Sequence, residues 1–155
     1  MPTNYNMLAI NLLDYQSSLV LRHQNGKKEV FDPVRRKWLV LTPEETVRQL
    51  TLLYLFDATL FPKNRYRTEM FLMDNKLPKR CDILIFDSAA QPFFLVECKA
   101  PNVPMTEDVL YQALRYNLTL KVQFCLLTNG VVTHLFRLDY QTNSWEELLT
   151  LVLSE

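Results

Sequence analysis

Residues 80–99 read Arg-Cys-Asp-Ile-Leu-Ile-Phe-Asp-Ser-Ala-Ala-Gln-Pro-Phe-Phe-Leu-Val-Glu-Cys-Lys. Two apolar runs, Arg80–Asp87 and Pro92–Lys99, flank a short polar break, the pattern of two antiparallel strands joined by a turn. Nearly every position in both runs is apolar on both strand faces, with Leu84, Phe86, Phe93 and Leu95 on one and Ile83, Ile85, Phe94 and Val96 on the other. Strands of that kind belong to the centre of a sheet covered on both sides. A hairpin centred between Ala89 and Ala90 sets Asp82 across from Glu97 and Arg80 across from Lys99. Side chains two apart on a strand share a face, so this register predicts that all four project together.

Two opposed carboxylates at the end of a buried hairpin repel one another, and desolvation makes keeping both ionised more costly. A hard divalent cation, Mg²⁺ or Mn²⁺, resolves the conflict by taking carboxylate oxygens and keeping waters for a phosphate. Lys99, two residues beyond Glu97, could handle the attacking water or offset charge developing on the phosphate. Spacing alone leaves a second reading open, in which Glu97 and Lys99 are solubilising strand-end charges and Asp82 is a turn or edge residue.

Upstream, Lys28–Asp32 and Lys37–Leu41 are short extended runs around Pro33 and predict a hairpin. Thr42-Pro43-Glu44-Glu45 predicts a helix start, with Thr42 as N-cap, Pro43 at the first helical position and Glu45 closing a capping box. Val47, Leu50, Leu53, Tyr54 and Leu60 would form its inner face, and the helix would run to about Phe61. The capping box by itself accounts for Glu45. Glu69–Met73 reads as a strand and Asp74–Pro78 as a turn. Downstream, a second helix follows Thr106 with Val109, Leu110, Ala113, Leu114 and Asn117 inward. Val122–Thr128 and Val131–Leu138 read as strands joined at Asn129-Gly130, and residues 145–153 as a terminal helix.

The 155-residue chain is 48% hydrophobic and 22% charged, which fits one globular domain spanning residues 1–155. With Gly26 and Gly130 its only glycines, neither a Walker A loop nor a GxGxxG loop can be written, so no nucleotide-driven motor is encoded in it. His23 and His134 stand too far apart for an HExxH site. Cys81, Cys98 and Cys125 lack CxxC spacing and lie in apolar runs, which suits buried reduced thiols and a cytoplasmic location. No basic start precedes an apolar stretch, and no apolar run is long enough to cross a membrane. Net charge is zero, yet residues 1–80 carry thirteen basic and eight acidic side chains against four and nine in residues 81–155. A phosphate-bearing partner would therefore meet cations of the first half: Lys63, Arg65, Arg67, Lys76, Lys79 and Arg80, or alternatively the track Arg35, Arg36 and Lys37.

Asp82 followed after fourteen residues by Glu97-Cys98-Lys99 resembles the core motif of the PD-(D/E)xK nucleases. Taken with Phe31-Asp32-Pro33, Leu41-Thr42-Pro43-Glu44-Glu45, Val47-Arg48-Gln49, Ala100-Pro101 and Thr128-Asn129-Gly130, the chain resembles the N-terminal nuclease domain of type I restriction enzyme R subunits over about residues 28–140. The resemblance implies an α/β fold, a restriction-endonuclease-like mixed β-sheet flanked by helices with an αβββαβ core. It implies Mg²⁺- or Mn²⁺-dependent cleavage of DNA, with Asp82, Glu97 and the Cys98 carbonyl on the metal and Lys99 as the catalytic lysine. Glu45, or alternatively Glu44, matches the acidic residue contributed by the first helix, and Gln112 and Tyr116 match a QxxxY element that supports DNA contact. Cys81 stands where the motif name has proline. No translocase accompanies the domain in this sequence, so restriction-modification or motor subunits enter as expected partners. The competing expectation is a non-catalytic nucleic-acid or protein-binding module that keeps the nuclease fold.

Overall fold

The computed structural model describes residues 8–74 and 76–151. A 3-10 segment, Leu12–Ser18, leads into a three-stranded antiparallel sheet of β1 (Leu21–Gln24), β2 (Lys27–Asp32) and β3 (Lys37–Val40). Helix α1 (Pro43–Ala58) follows, then a 3-10 turn at Lys63–Arg65, and strands β4 (Tyr66–Asp74), β5 (Leu77–Phe86) and β6 (Pro92–Cys98). After α2 (Glu107–Leu118) come β7 (Phe124–Thr128), β8 (Thr133–Asp139) and β9 (Ser144–Leu148). Strands β4 to β9 form one six-stranded sheet in sequential order, antiparallel except for the parallel β6–β7 pair that α2 bridges. The run α1-β4-β5-β6-α2-β7 is the expected αβββαβ core, in a mixed α/β architecture consistent with a restriction-endonuclease-like fold.

The two helices cover opposite faces of the large sheet. Val47, Leu52 and Leu55 of α1 pack on Ile83, Ile85, Phe94 and Val96, whereas Leu110 and Leu114 of α2 pack on Leu84, Leu95 and Leu127. Each fully buried aliphatic side chain contributes about 1.5–3 kcal/mol, so this alternation fixes the register of the central hairpin. The ladder pairs Ile83 with Val96, Leu84 with Leu95 and Ile85 with Phe94, which is the expected register. It then shifts at Phe86, which pairs with Pro92. The shift moves Phe93 onto the α1 side, not the α2 side expected for it.

Thr42 caps α1 as expected, its hydroxyl accepting from the Glu45 amide at 3.0 Å. The helix stops at Ala58, so Leu60 lies beyond it and is fully exposed, not part of the inner face. The Phe31-Asp32-Pro33 hairpin forms, and β1 joins it through Asn25 and Gly26, both at positive φ, a turn the sequence reading passed over. All three cysteines are free and buried. Burial pushes the Cys98 and Cys125 thiols up, and that of Cys81 to about 11.

Residues 144–148 are a strand, correcting the expected terminal helix; residues 152 and 153 lie outside the described residues. Ser144 pairs with Asp139 and Trp145 with Leu138, and the Trp145 ring packs on Tyr111 of α2, 5.6 Å between centroids. A helix would forfeit this ladder and expose the last sheet edge. Part of the expected turn at residues 74–78 also lies outside the described residues, while Leu77 and Pro78 belong to β5.

Candidate active site

The β4–β5 ribbon exchanges its faces at one point. Thr68 pairs with Ile83 and Met70 with Cys81, but the intervening Glu69 and Asp82 are not in the ladder, and Glu69 has φ of 56°. Ile83 belongs to the core under α1, whereas Cys81 and Met70 belong to the core under α2. Strict alternation would have kept Cys81 and Ile83 on the same side. The reversal turns the two unpaired acidic residues toward α1.

There they meet Arg48, a buried arginine with 4% of its side chain exposed. Its guanidinium lies 2.8 Å from Asp82 Oδ1, 2.7 Å from Glu69 Oε1 and 3.3 Å from Glu44 Oε1, and it also donates to Glu45 Oε2. Arg80 pairs with Glu69 in the same cluster. Burial pulls the Arg48 pKa down, but Asp82 and Glu45 outweigh it and raise it above its ordinary value. Four carboxylates against two guanidiniums leave a formal excess of two negative charges. Glu69 Oε1 is buried, and its contact with Arg48 is not a directed hydrogen bond.

Glu45 does not complete the capping box. Its second oxygen accepts from Gln49 Nε2 at 2.9 Å, while the Thr42 amide bonds the Val40 carbonyl. Asp82 Oδ2 accepts from the Cys98 amide at 2.8 Å, tying β5 to the Glu97-Cys98-Lys99 segment. Just past it the Lys99 amide donates to the Thr128 carbonyl at 2.8 Å, so the strand end is held on β7.

Glu97 faces the other way. Lys79 Nζ lies 2.5 Å from Glu97 Oε1, donates also to Asn117 Oδ1 of α2, and sits 4.2 Å above the Tyr116 ring. The expected common face for Arg80, Asp82, Glu97 and Lys99 is therefore corrected: Arg80 and Asp82 serve the α1 side, Glu97 the α2 side. The hairpin register is as read; the face reversal in β5 is what separates them.

The remaining expected residues fall into three places. Gln112 and Tyr116 line a groove along α2 with Leu77, Tyr111 and Arg115, distinct from the cleft at the start of α1. Lys79 links that groove to Glu97. Lys63 lies over the Phe56 ring at 4.9 Å, and Arg67 donates to the carbonyls of Asn64 and Tyr66. Phe56 and Glu45 are eleven residues apart on α1, so Lys63 sits about 16 Å along the helix from the acidic cluster. Arg35 and Arg80 instead line the cleft itself, beside Glu44, Glu45 and Glu69. Arg48 and Glu69 were not singled out as site residues. The spacing of Arg48 three and four residues after two glutamates is a visible signal; the positive φ that turns Glu69 inward is not.

Glu44 and Glu45 of α1 and Glu69 of β4 line one cleft, Asp82 of β5 joins them through Arg48, and a Glu-x-Lys strand end closes β6 of the mixed sheet. The family model for the type I restriction enzyme R protein N terminus (HSDR_N) matches residues 43–151, and the chain belongs to that family. No curated protein matches the chain. Among the described residues, no helix is long and apolar enough to cross a membrane.

Proposed function

We propose that the chain hydrolyses DNA phosphodiesters with Mg²⁺ or Mn²⁺, as a cytoplasmic nuclease module acting with restriction-modification partners. The observation that carries the reading is the double engagement of Asp82. One oxygen holds the Cys98 amide of the Glu97-Cys98-Lys99 segment, the other the arginine that binds Glu45. These contacts bring three separate stretches of sequence to one point.

In donor type the residues suit a hard divalent ion, but among the described residues no group of three or more Asp, Glu, His or Cys side chains is arranged to hold one, and Arg48 occupies the point that the carboxylates share. All converging donors are carboxylate oxygens, they carry excess negative charge, and Glu69 Oε1 is buried without a directed hydrogen bond. Asp82 and Glu45 would hold the ion on the α1 side with Arg48 displaced, and Glu97, whose carboxylate faces α2, would join them and the Cys98 carbonyl only after leaving Lys79. Bound there, it supplies Lewis acidity and an acidified water. Lys99 offsets charge on the phosphate or moves a proton at Nζ, and Arg48 keeps the carboxylates together until they are engaged. Lys79 orients Glu97, and Gln112 and Tyr116 meet DNA along α2.

A second reading rests on one observation. Asp82 already has Arg48 and Glu97 already has Lys79, so both acidic residues of the motif are ion-paired within the chain, which would equally suit a non-catalytic binding module. Incubation with supercoiled plasmid and Mg²⁺ or Mn²⁺ separates the two. The nuclease reading expects nicking that Glu97→Gln and Lys99→Ala abolish without loss of fold. DNA that stays intact with wild-type protein, in either metal, overturns it.

A further inference from the structure

Asp32 is completely buried, yet it ends β2 at the mouth of a hairpin turn, where an aspartate would ordinarily face water. Its oxygens accept four bonds. Oδ1 takes the amides of Val34 and Arg35 at 2.9 and 3.0 Å, and Oδ2 takes Arg35 Nε at 3.0 Å and the Thr68 hydroxyl at 2.9 Å. The amide bonds shape the β2–β3 turn, and the Thr68 bond ties that small sheet to β4, one residue before Glu69. The Nε bond fixes Arg35 by one edge of its guanidinium. Its side chain remains 21% exposed, lining the same cleft as Glu44, Glu45, Glu69 and Arg80.

A guanidinium tethered through Nε keeps its outer pair of N–H donors in a plane suited to two oxygens of one phosphate. Three arginines line this cleft with Glu44, Glu45 and Glu69: Arg48 is buried among the carboxylates, whereas Arg35 and Arg80 keep 21% and 58% of their side chains exposed. A nucleic-acid backbone running across it would meet Arg35 and Arg80 with phosphates flanking the one at the carboxylates. We propose that Arg35 is a backbone-phosphate anchor for DNA at this cleft, and that Asp32 is the positioning residue that aims it. The inference rests on the nuclease reading for its ligand but concerns binding alone.

The test is anisotropy of a labelled DNA duplex in Ca²⁺, over a range of salt, with thermal melting of each variant as the fold control. Arg35→Gln should weaken binding about ten-fold and make the slope of log K against log salt shallower by about 0.9, one phosphate contact. Arg35→Lys keeps the charge and loses the Nε tether and the fork, so its slope should match wild type while its affinity falls part of the way. Asp32→Asn should follow Arg35→Lys in the binding assay; a purely structural Asp32 would lower the melting temperature and leave affinity unchanged. If Asp32→Asn does not fold, the two Arg35 variants decide. Wild-type affinity and slope in Arg35→Gln overturn the inference and leave the nuclease reading standing. Wild-type protein that cuts no DNA but binds it with the Arg35-dependent slope overturns the nuclease reading and leaves this one.

Discussion

Arg48 on the second turn of α1 and Asp82 on β5 are joined at 2.8 Å, across 34 residues of sequence. The contact exists because β5 reverses its faces at Asp82, and it brings the start of the first helix to the end of the hairpin. Glu44, Glu45 and Glu69 share the same guanidinium, so the integrity of the cleft depends on one arginine.

Arg48→Met should destabilise the fold by about 3–5 kcal/mol, since removing one partner of a buried network leaves the others uncompensated. Guanidinium denaturation at neutral pH measures this. A loss below about 1 kcal/mol would mean that water reaches the carboxylates and that the cluster is solvated, not structural.

Metal binding should depend on residues from both sides of the Asp82 contact. Calorimetric titration with Mn²⁺ should give heat with wild-type protein and at least a ten-fold weaker affinity in Asp82→Asn and in Glu45→Gln, each of which removes a charged donor. Absence of heat with wild type would sink the metal reading and favour the binding module.

Acid stability should report on Asp32. Burial pushes its carboxyl up, but the Arg35 amide and guanidinium, the Thr68 hydroxyl and the Val34 amide together hold it below the ordinary 3.8. A carboxyl with a lower pKa folded than unfolded contributes its stability in full above the unfolded value and loses it as pH falls through the folded one. Wild type should therefore lose melting temperature more steeply than Asp32→Asn as pH falls below the ordinary 3.8. Parallel curves would show that the carboxylate is not ionised in its pocket.

The position of the DNA track can be read from salt dependence. Lys63, Arg65 and Arg67 lie toward the far end of α1 from the cleft, whereas Arg35 and Arg80 line it. Neutralising Arg35 and Arg80 together should make the salt slope shallower by about 1.8, more than the Lys63, Arg65 and Arg67 triple variant does. A larger change in the triple variant would move the track to the 3-10 turn at Lys63–Arg65.

Much of this was legible from neighbours in sequence. Thr42 caps α1 because its hydroxyl meets an amide three residues on, and the apolar alternation of Ile83–Ile85 against Phe94–Val96 leaves one register that buries both faces. The same local rules read the tail as a helix and failed, because Trp145 and its neighbours answer to β8, which no window of adjacent residues contains. They also miss a change of strand face: the hairpin register that sets Asp82 across from Glu97 predicts one common face, and alternation is lost where Glu69 takes a positive φ.

Local sequence sets the αβββαβ order of the core, the threonine N-caps of both helices, the hairpin register and the set of acidic and basic residues at the strand ends. Each follows from contacts a few residues long, or from the demand that an apolar strand be covered on both faces. How those charges are partnered is settled only by packing: Asp82 with Arg48, Glu97 with Lys79, Asp32 with Arg35 and Thr68. A buried charge takes whichever opposite charge the packing brings within reach, and that choice depends on the helix crossing the sheet and on a single reversal of strand face. Neither leaves a periodic trace in the chain.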